Sequence, residues 1–226
     1  MIEDYIKNKI KNHYSISGIE VFIDQPFINE VDVQETIFKL ISIVPGHLLS
    51  NVNRIKIGNY KELLDRDLTA MYKNSTIYVT NQVTDEEDLI DDLIHETSHS
   101  VEEKYSDVIY SDGEIRKEFV SKRKKLLFTL KNMNYDLAGY NFLDVEYDIN
   151  FDNFLYKNIG YPTLRKLTSG LFYSPYAATC LREYFANGFE AFYMKEDLTR
   201  LRKTSPKLYE KLLYLLNLQK EKENRK

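Results

Sequence analysis

Residues 84–103 read TDEEDLIDDLIHETSHSVEE, and this stretch decides how the fold of the remaining chain is interpreted. Its centre, HETSH at residues 95–99, is the HExxH pattern. On a helix, side chains four residues apart lie on the same face, so the imidazoles of His95 and His99 can bind one metal ion. Glu96 can hold a water molecule beside that metal and accept its proton as a general base. The pattern therefore predicts a site for one zinc ion, Zn²⁺, with two histidine ligands.

The residues around this pattern favour the helix that it requires. Thr84 and Glu87 have the spacing of a capping box, and the acidic residues 85–88 suit the positive end of a helix dipole. No proline or glycine interrupts residues 84–103. An apolar stripe at helical spacing predicts the buried face, formed by Leu89, Ile90, Leu93, Ile94, Thr97 and Val101.

Two histidines leave a catalytic zinc site incomplete, because such a site usually has three protein ligands. The metzincin pattern has a glycine and then a third histidine after the second histidine. This chain has Glu102 and Tyr105 at those positions, which excludes the metzincin class. His13 and His47 have no motif context. A glutamate on a later helix is therefore the expected third ligand.

Three glutamates near the C-terminus are candidates for that ligand, namely Glu183, Glu190 and Glu196. Glu183 lies in a predicted helix rich in aromatic residues. Asn187 follows one turn later, where its side chain can hydrogen-bond a ligand histidine and hold its ring in place. Glu190 lies two turns after Glu183, and either side chain can face solvent. The residue pattern alone leaves the choice open.

Two segments resemble the zinc-protease domain of anthrax lethal factor and the related bacterial Pro-Pro endopeptidases. They are HETSHSVEE at residues 95–103 and YAATCLREYFANGFEAFY at residues 176–193. In that family a tyrosine follows the HExxH helix, and the zinc-binding glutamate of an E-[FY]-F-A-x-x-F segment comes seven residues later. This chain has Tyr176 and then EYFANGF at residues 183–189. The segment SPKLYEKL at residues 205–212 is similar to the closing helix of those proteins.

The resemblance implies a zincin-like metallopeptidase of the gluzincin type. It implies that Glu183 completes the metal site of His95 and His99. It also implies that Glu96 is the catalytic general base. Tyr176 would be a second catalytic residue, whose phenol donates a hydrogen bond to the oxyanion of the tetrahedral intermediate.

The chain departs from the family pattern in three respects. The separation of His99 from Glu183 is longer than in the family, which indicates an insertion at about residues 105–170. Asn187 stands where the family often has an acidic residue. Neither a secretion signal nor a toxin-delivery domain is recognised in the sequence. In addition, Tyr173 also precedes the ligand helix and is a second candidate for the oxyanion donor.

Composition limits the partners that the protein can have. Hydrophobic residues make up 43% and charged residues 29% of the 226 residues, which is typical of a globular protein. The net charge of -4 does not favour a nucleic acid or an anionic membrane as a partner. No signal-peptide core and no apolar run of membrane-spanning length occurs in the sequence. We therefore expect a cytoplasmic protein, or one that is secreted or delivered by a non-classical route.

Hydrophobic periodicity predicts both strands and helices. Strands are expected over residues 19–23, 54–57 and 75–80, and helices over residues 2–13, 33–44, 61–71, 114–131, 177–195 and 206–218. Residues 105–110 are predicted as a strand or a loop, and residues 161–176 as a connection. Residues 75–80 suit an interior strand and equally an edge strand beside the cleft, where zinc peptidases hold a substrate by strand addition. The KRKK run at residues 122–125 is predicted to be a solvated face rather than a nucleic-acid contact.

We expect a single α+β domain over residues 1–226. It would combine a small twisted sheet, the HExxH helix and a helical C-terminal lobe that supplies Glu183. The expected activity is zinc-dependent hydrolysis of peptide bonds in a protein or peptide substrate. One alternative is a catalytically silent or structural protein of a phage or mobile element that keeps the zincin fold. Another is a leaderless catalytic effector that other machinery delivers.

Overall fold

The structure, a computed structural model, describes residues 12–195 and 197–223, with side chains described up to residue 218. The helix predicted over residues 2–13 lies almost entirely outside this part of the chain, and so does Glu196. The chain divides into two compact units, one up to Lys104 and one from Tyr105 onward. The expectation of a single domain stays a prediction, and the two units are described separately.

The first unit contains a mixed five-stranded sheet. Its strands are β1 (His13–Ile16), β2 (Ile19–Ile23), β3 (Arg54–Gly58), β4 (Ala70–Lys73) and β5 (Thr76–Thr80), in the order β1-β2-β3-β5-β4. The three central strands are parallel, whereas β1 and β4 run antiparallel to their neighbours. The inward side chains of the central strands are fully buried, as their alternating sequences predict, and include Val21, Ile55, Ile57, Ile77 and Val79.

The helices of this unit are α1 (Val33–Ile43), α2 (Gly46–Leu49), α3 (Lys61–Arg66) and the beginning of α4 (Glu86–Tyr110). Asp32 caps α1 by accepting the backbone N–H of Glu35 at 2.9 Å. Sheet and helices together confirm the α+β class. The strands predicted over residues 19–23, 54–57 and 75–80 and the helix predicted over residues 33–44 are also confirmed, with small differences at their ends.

Residues 61–71 were predicted as one helix, and this prediction is wrong in its second half. The helix ends at Arg66, and Ala70–Lys73 forms β4 at the edge of the sheet. Asn74 and Ser75 both have positive φ, which is the backbone of a two-residue hairpin turn that fits the twist of the strands. β5 pairs with β3 and β4, so of the two alternatives left open for residues 75–80 the interior strand is confirmed and the edge strand is excluded.

The second unit is helical in the part of the chain that the structure describes. Its helices are the end of α4, α5 (Glu114–Asn132), α6 (Ile149–Asn153), a π-helix (Phe154–Gly160), α7 (Tyr161–Thr168), a 3₁₀ turn (Tyr176–Ala178), α8 (Leu181–Tyr193), α9 (Leu198–Thr204) and α10 (Pro206–Glu223). Residues 105–110 therefore end α4 rather than form a strand or loop, and the predicted connection 161–176 contains α7. Tyr105, the first residue of this unit, has non-helical dihedral angles within α4.

No helix in the described part of the chain has both the length and the apolar composition needed to cross a membrane.

The KRKK run of α5 is only half solvated. Lys124 and Lys125 are exposed as predicted, but Lys122 and Arg123 are 6% and 1% exposed, so for them the prediction is wrong. The ammonium of Lys122 donates to the Tyr184 hydroxyl at 2.6 Å and to the Ser205 hydroxyl at 2.7 Å. The run therefore belongs in part to the core of the second unit.

Lys122 makes the stability of the protein depend on pH. Burial lowers the pKa of this amine to about 7, although the Glu118 carboxylate nearby acts in the opposite direction. An unfolded lysine stays protonated to about pH 10.4, so between these values the unfolded state binds more protons than the folded state. The free energy of unfolding should therefore rise with pH across this window, by about 1.4 kcal/mol per pH unit at most.

We expect urea unfolding between pH 7 and pH 9.5 to show this rise in the wild-type chain and to lack it in Lys122→Met. The comparison removes the contributions of all other titrating groups, which the two proteins share. Equal pH slopes in the two proteins would show that Lys122 keeps an ordinary pKa. Lys124→Met, at an exposed position of the same helix, is the control and should keep the wild-type slope.

Candidate metal centre

The first half of α4 carries the HExxH residues, and its buried face holds them in place. All six residues of the predicted apolar stripe are fully buried. Asp85 rather than Thr84 is the N-terminal cap, because its carboxylate accepts the backbone N–H of Asp88 at 2.9 Å. The Thr84 hydroxyl instead donates to the Asp88 carboxylate. The helix that the sequence predicted is confirmed, with its start one residue later.

His95, Glu96 and His99 come together as the sequence predicted. Each offers one ligand atom, and these atoms all lie within 4.8 Å of one another. The two imidazole rings are 5.1 Å apart and nearly perpendicular. Glu96 and His99 are 7% and 6% exposed, whereas His95 is more accessible. Among the described residues this is the group whose histidine, cysteine or acidic side chains could hold a metal ion.

Two imidazoles and a carboxylate form a donor set that fits zinc. Zinc takes nitrogen and oxygen ligands readily, whereas calcium and magnesium prefer oxygen alone. His13 has a different partner: its Nε2 is 2.8 Å from the Glu20 carboxylate, across the β1–β2 hairpin. The donor chemistry of residues 95–99 is therefore compatible with the predicted ion.

The carboxylate of Glu96 is fixed against the edge strand of the sheet, β4. Its Oε2 accepts the backbone N–H of Tyr72 in β4 at 2.6 Å. The backbone N–H of Thr80 donates to Thr69 O, and antiparallel pairing alternates along the ladder, so the N–H of Tyr72 points away from β5. This bond therefore orients Glu96 beside the outer edge of β4.

Asp92 lies one turn before the motif and forms part of its electrostatic environment. Its carboxylate accepts the Thr69 hydroxyl at 2.9 Å. The pKa of Asp92 is raised to about 7, chiefly by burial and also by the charge of Glu96, whereas the hydrogen bond from Thr69 and the proximity of His95 act to lower the pKa. Asp92 thus couples α4 to the residue that precedes β4.

Glu102 lies one turn after His99, and its carboxylate is 3.8 Å from His99 Nδ1. A carboxylate on this side of the ring favours a proton on Nδ1, which directs the other nitrogen, Nε2, to a metal ion. Glu102 is therefore placed to orient the second histidine.

We expect Glu102→Gln to weaken zinc binding by about tenfold, because an amide stabilises the Nδ1–H tautomer less than a carboxylate does. Competition with a zinc chelator of known affinity measures this change. Glu87→Gln, at an exposed position of the same helix, should bind zinc as tightly as the wild type. Equal affinities of the Glu102 and Glu87 variants would show that Glu102 does not orient His99.

The remaining predicted site residues lie in the second unit. Glu183 is half-buried in the first turn of α8, and Tyr176 begins the 3₁₀ turn before it. Burial raises the pKa of the Tyr176 phenol well above its ordinary value, and the negative charge of Glu183 adds to this effect. The phenol is therefore a stable hydrogen-bond donor close to the Glu183 carboxylate. The roles of Glu183 as a ligand and Tyr176 as a donor stay predictions.

Tyr173 has a different environment from its rival Tyr176. The guanidinium of Arg200 lies over the Tyr173 ring, 4.7 Å from its centre, and donates to the Tyr173 carbonyl at 2.8 Å. The Tyr173 ring thus contacts a cation, whereas the Tyr176 phenol interacts with the Glu183 carboxylate. These surroundings favour Tyr176 as the residue that accompanies Glu183.

Asn187 holds the backbone of α8. Its Nδ2 donates to the Glu183 carbonyl at 2.9 Å, and its Oδ1 accepts the hydroxyl of Ser174. Through these bonds Asn187 joins the turn that carries Glu183 to the segment that precedes Tyr176. Its predicted contact with a ligand histidine stays a prediction, as does the alternative ligand Glu190.

Sequence reasoning missed three residues of the centre. Asp92 and Glu102 lie one turn from the histidines, so helical spacing alone could have identified them. Tyr72 contributes only its backbone N–H, and no side-chain pattern signals this.

Comparisons of the chain with protein-family models, with curated proteins and with solved structures find no match.

Proposed function

We propose that this protein is a zinc-dependent metalloendopeptidase with a zincin-like fold. The observation that carries the proposal is the cluster of His95, Glu96 and His99 on one helix, with Glu96 held against the outer edge of β4. Two nitrogen donors and a carboxylate beside them are the parts that a hydrolytic metal site needs.

His95 and His99 would hold the zinc ion. When bound, zinc supplies a Lewis acid that lowers the pKa of water and polarises a carbonyl group. Glu96 would take the proton from the attacking water and later pass it to the leaving amine, as a general base and then a general acid. The bond from Tyr72 fixes one oxygen of this carboxylate and so limits the orientations that it can adopt.

The outer edge of β4 is the place that we propose for an extended peptide. β4 is the terminal strand of the sheet order, and the N–H of Tyr72 shows which way its outward groups point. Added strands bind through main-chain hydrogen bonds, which suits a protein substrate of varied sequence. β4 therefore replaces residues 75–80 as the candidate substrate strand.

The proposal also includes two residues of the second unit, Glu183 and Tyr176. The resemblance to the lethal factor type of protease assigns the third zinc ligand to Glu183 and the oxyanion donor to Tyr176. The charge of Glu183 acts on the Tyr176 phenol, which supports a joint role. A hydrogen-bond donor that stabilises a negative charge present only in the transition state accelerates the reaction without strengthening substrate binding.

Digestion of a complex peptide library tests this function. The wild-type chain loaded with zinc is compared by mass spectrometry with the double variant His95→Ala/His99→Ala, treated in the same way. We expect new cleavages with the wild type alone, and the aligned cut sites would define the preferred bond. Zinc binding by the wild type without any cleavage would favour the alternative of a catalytically silent or structural protein.

A further inference from the structure

A polar pocket lies within the second unit. It has a volume of about 240 Å³ and is lined by residues of the end of α7, of the segment that follows it and of α9. The polar side chains in its wall are those of Arg165, Thr168, Ser169, Ser174 and Arg200, with Tyr173 beside them. None of these residues is a proposed metal ligand, although the Ser174 hydroxyl donates to Asn187.

The charge of this pocket is positive. Arg165 and Arg200 come from different helices, and none of the described residues that line the pocket is acidic. Two guanidinium groups that line one cavity favour an anion as its occupant. The Ser169 hydroxyl in the same wall can donate to such an anion, whereas the hydroxyls of Thr168 and Ser174 donate to Leu164 O and to the Asn187 side chain. The lining therefore has the composition of an anion site.

Arg200 is held in place before any ligand arrives. Its Nη2 donates to the Tyr173 carbonyl at 2.8 Å, and its guanidinium lies over the Tyr173 ring. A guanidinium has five N–H donors, so this bond leaves donors for a ligand. A side chain that is already ordered loses little entropy on binding, which favours affinity.

The volume of the pocket limits the ligand to a small group. Pockets for drug-sized ligands measure about 300–1,000 Å³, so about 240 Å³ suits one tetrahedral or planar oxyanion. Arginine binds both kinds through paired N–H···O bonds. We propose that this pocket binds a single oxyanion group, either a free phosphate or the carboxylate of an acidic peptide side chain.

The pocket is tested by calorimetric titration of the full chain with inorganic phosphate and, separately, with a short capped peptide that contains one aspartate. The same peptide with asparagine is the control ligand. We expect saturable binding of at least one of the two anions, and about tenfold weaker binding in Arg165→Ala and in Arg200→Ala. Stronger binding of phosphate would identify a free anion as the ligand, and stronger binding of the aspartate peptide would identify a side chain.

Neighbouring basic residues supply matched controls. Lys166 follows Arg165 on α7 and Arg202 follows Arg200 on α9, and both are exposed and outside the pocket wall. Lys166→Ala and Arg202→Ala should bind the anion as the wild type does. Equal losses in all four variants would show general surface charge, and no saturable binding of either anion would show that the pocket is not an anion site. Either result would overturn the proposal.

Replacement by alanine could also disturb the turn that Tyr173 occupies. Arg165→Lys and Arg200→Lys keep the charge but lose the paired donors, so they should weaken binding too. Circular dichroism of each variant verifies the fold. All these readouts are independent of peptidase activity, so the anion pocket and the proposed function can fail separately.

Discussion

The Glu96→Ala variant is expected to lose peptidase activity by about 10²–10⁴-fold while it still binds one zinc ion per chain. The loss has a direct physical cause, because alanine can neither accept a proton from water nor return it to the leaving amine. The histidines that would hold zinc remain unchanged. The measurement is kcat/KM on a peptide identified from the library, together with zinc content by atomic emission.

Glu87→Ala is the matched control for this prediction. Glu87 is an exposed glutamate in the first turn of the same helix, so the variant removes an equal charge without touching the motif. It should retain wild-type activity. Proteolysis by Glu96→Ala at the rate of the Glu87→Ala variant would rule out Glu96 as the general base, and loss of zinc would indicate a structural role instead.

The Arg123→Met variant is expected to lose about 3 to 5 kcal/mol of folding stability. The Arg123 guanidinium is buried and donates to the carbonyls of Ala178, Thr179 and Asn141 at 3.0, 2.9 and 3.2 Å. Methionine fills similar space but leaves these acceptors without their charged donor. The guanidinium also lies 4.0 Å from the centre of the Phe151 ring, so a cation–π interaction is lost as well.

Urea unfolding at pH 7 measures this loss. Burial lowers the pKa of Arg123 to about 10, so the side chain is still charged at this pH. Arg116→Met makes the same chemical change at an exposed position of the same helix and should alter stability by less than about 0.5 kcal/mol. Similar stabilities for the two variants would mean that the buried bonds of Arg123 contribute nothing net.

The buried pair in the KRKK run shows where sequence reasoning fails. Charged residues lie on the surface in most proteins, so a run of four predicts solvent exposure. The exception becomes visible only when the Thr179 carbonyl and the hydroxyls of Tyr184 and Ser205 are packed against α5. These groups are more than 50 residues away in the chain, and no local pattern reports them.

The edge of the sheet shows the same limit of prediction from sequence. The β-rich sequence of residues 75–80 correctly predicted a strand, because alternation of apolar residues is a local property. Whether that strand is central or at the edge depends on pairing between distant segments. The short strand Ala70–Lys73 was missed, since four residues are too few to show a period and the preceding helix pattern continued into it.

The sequence by itself determined the helix around residues 95–99 and the common face of His95 and His99, since helical geometry alone sets the positions of residues four apart. It also led to the prediction that such donors bind zinc. Only the tertiary structure decided that Tyr72 presents its N–H to Glu96 and that Asn187 bonds the Glu183 turn to Ser174. These contacts depend on how separate segments pack and on backbone groups that every residue has, so the residue letters do not encode them.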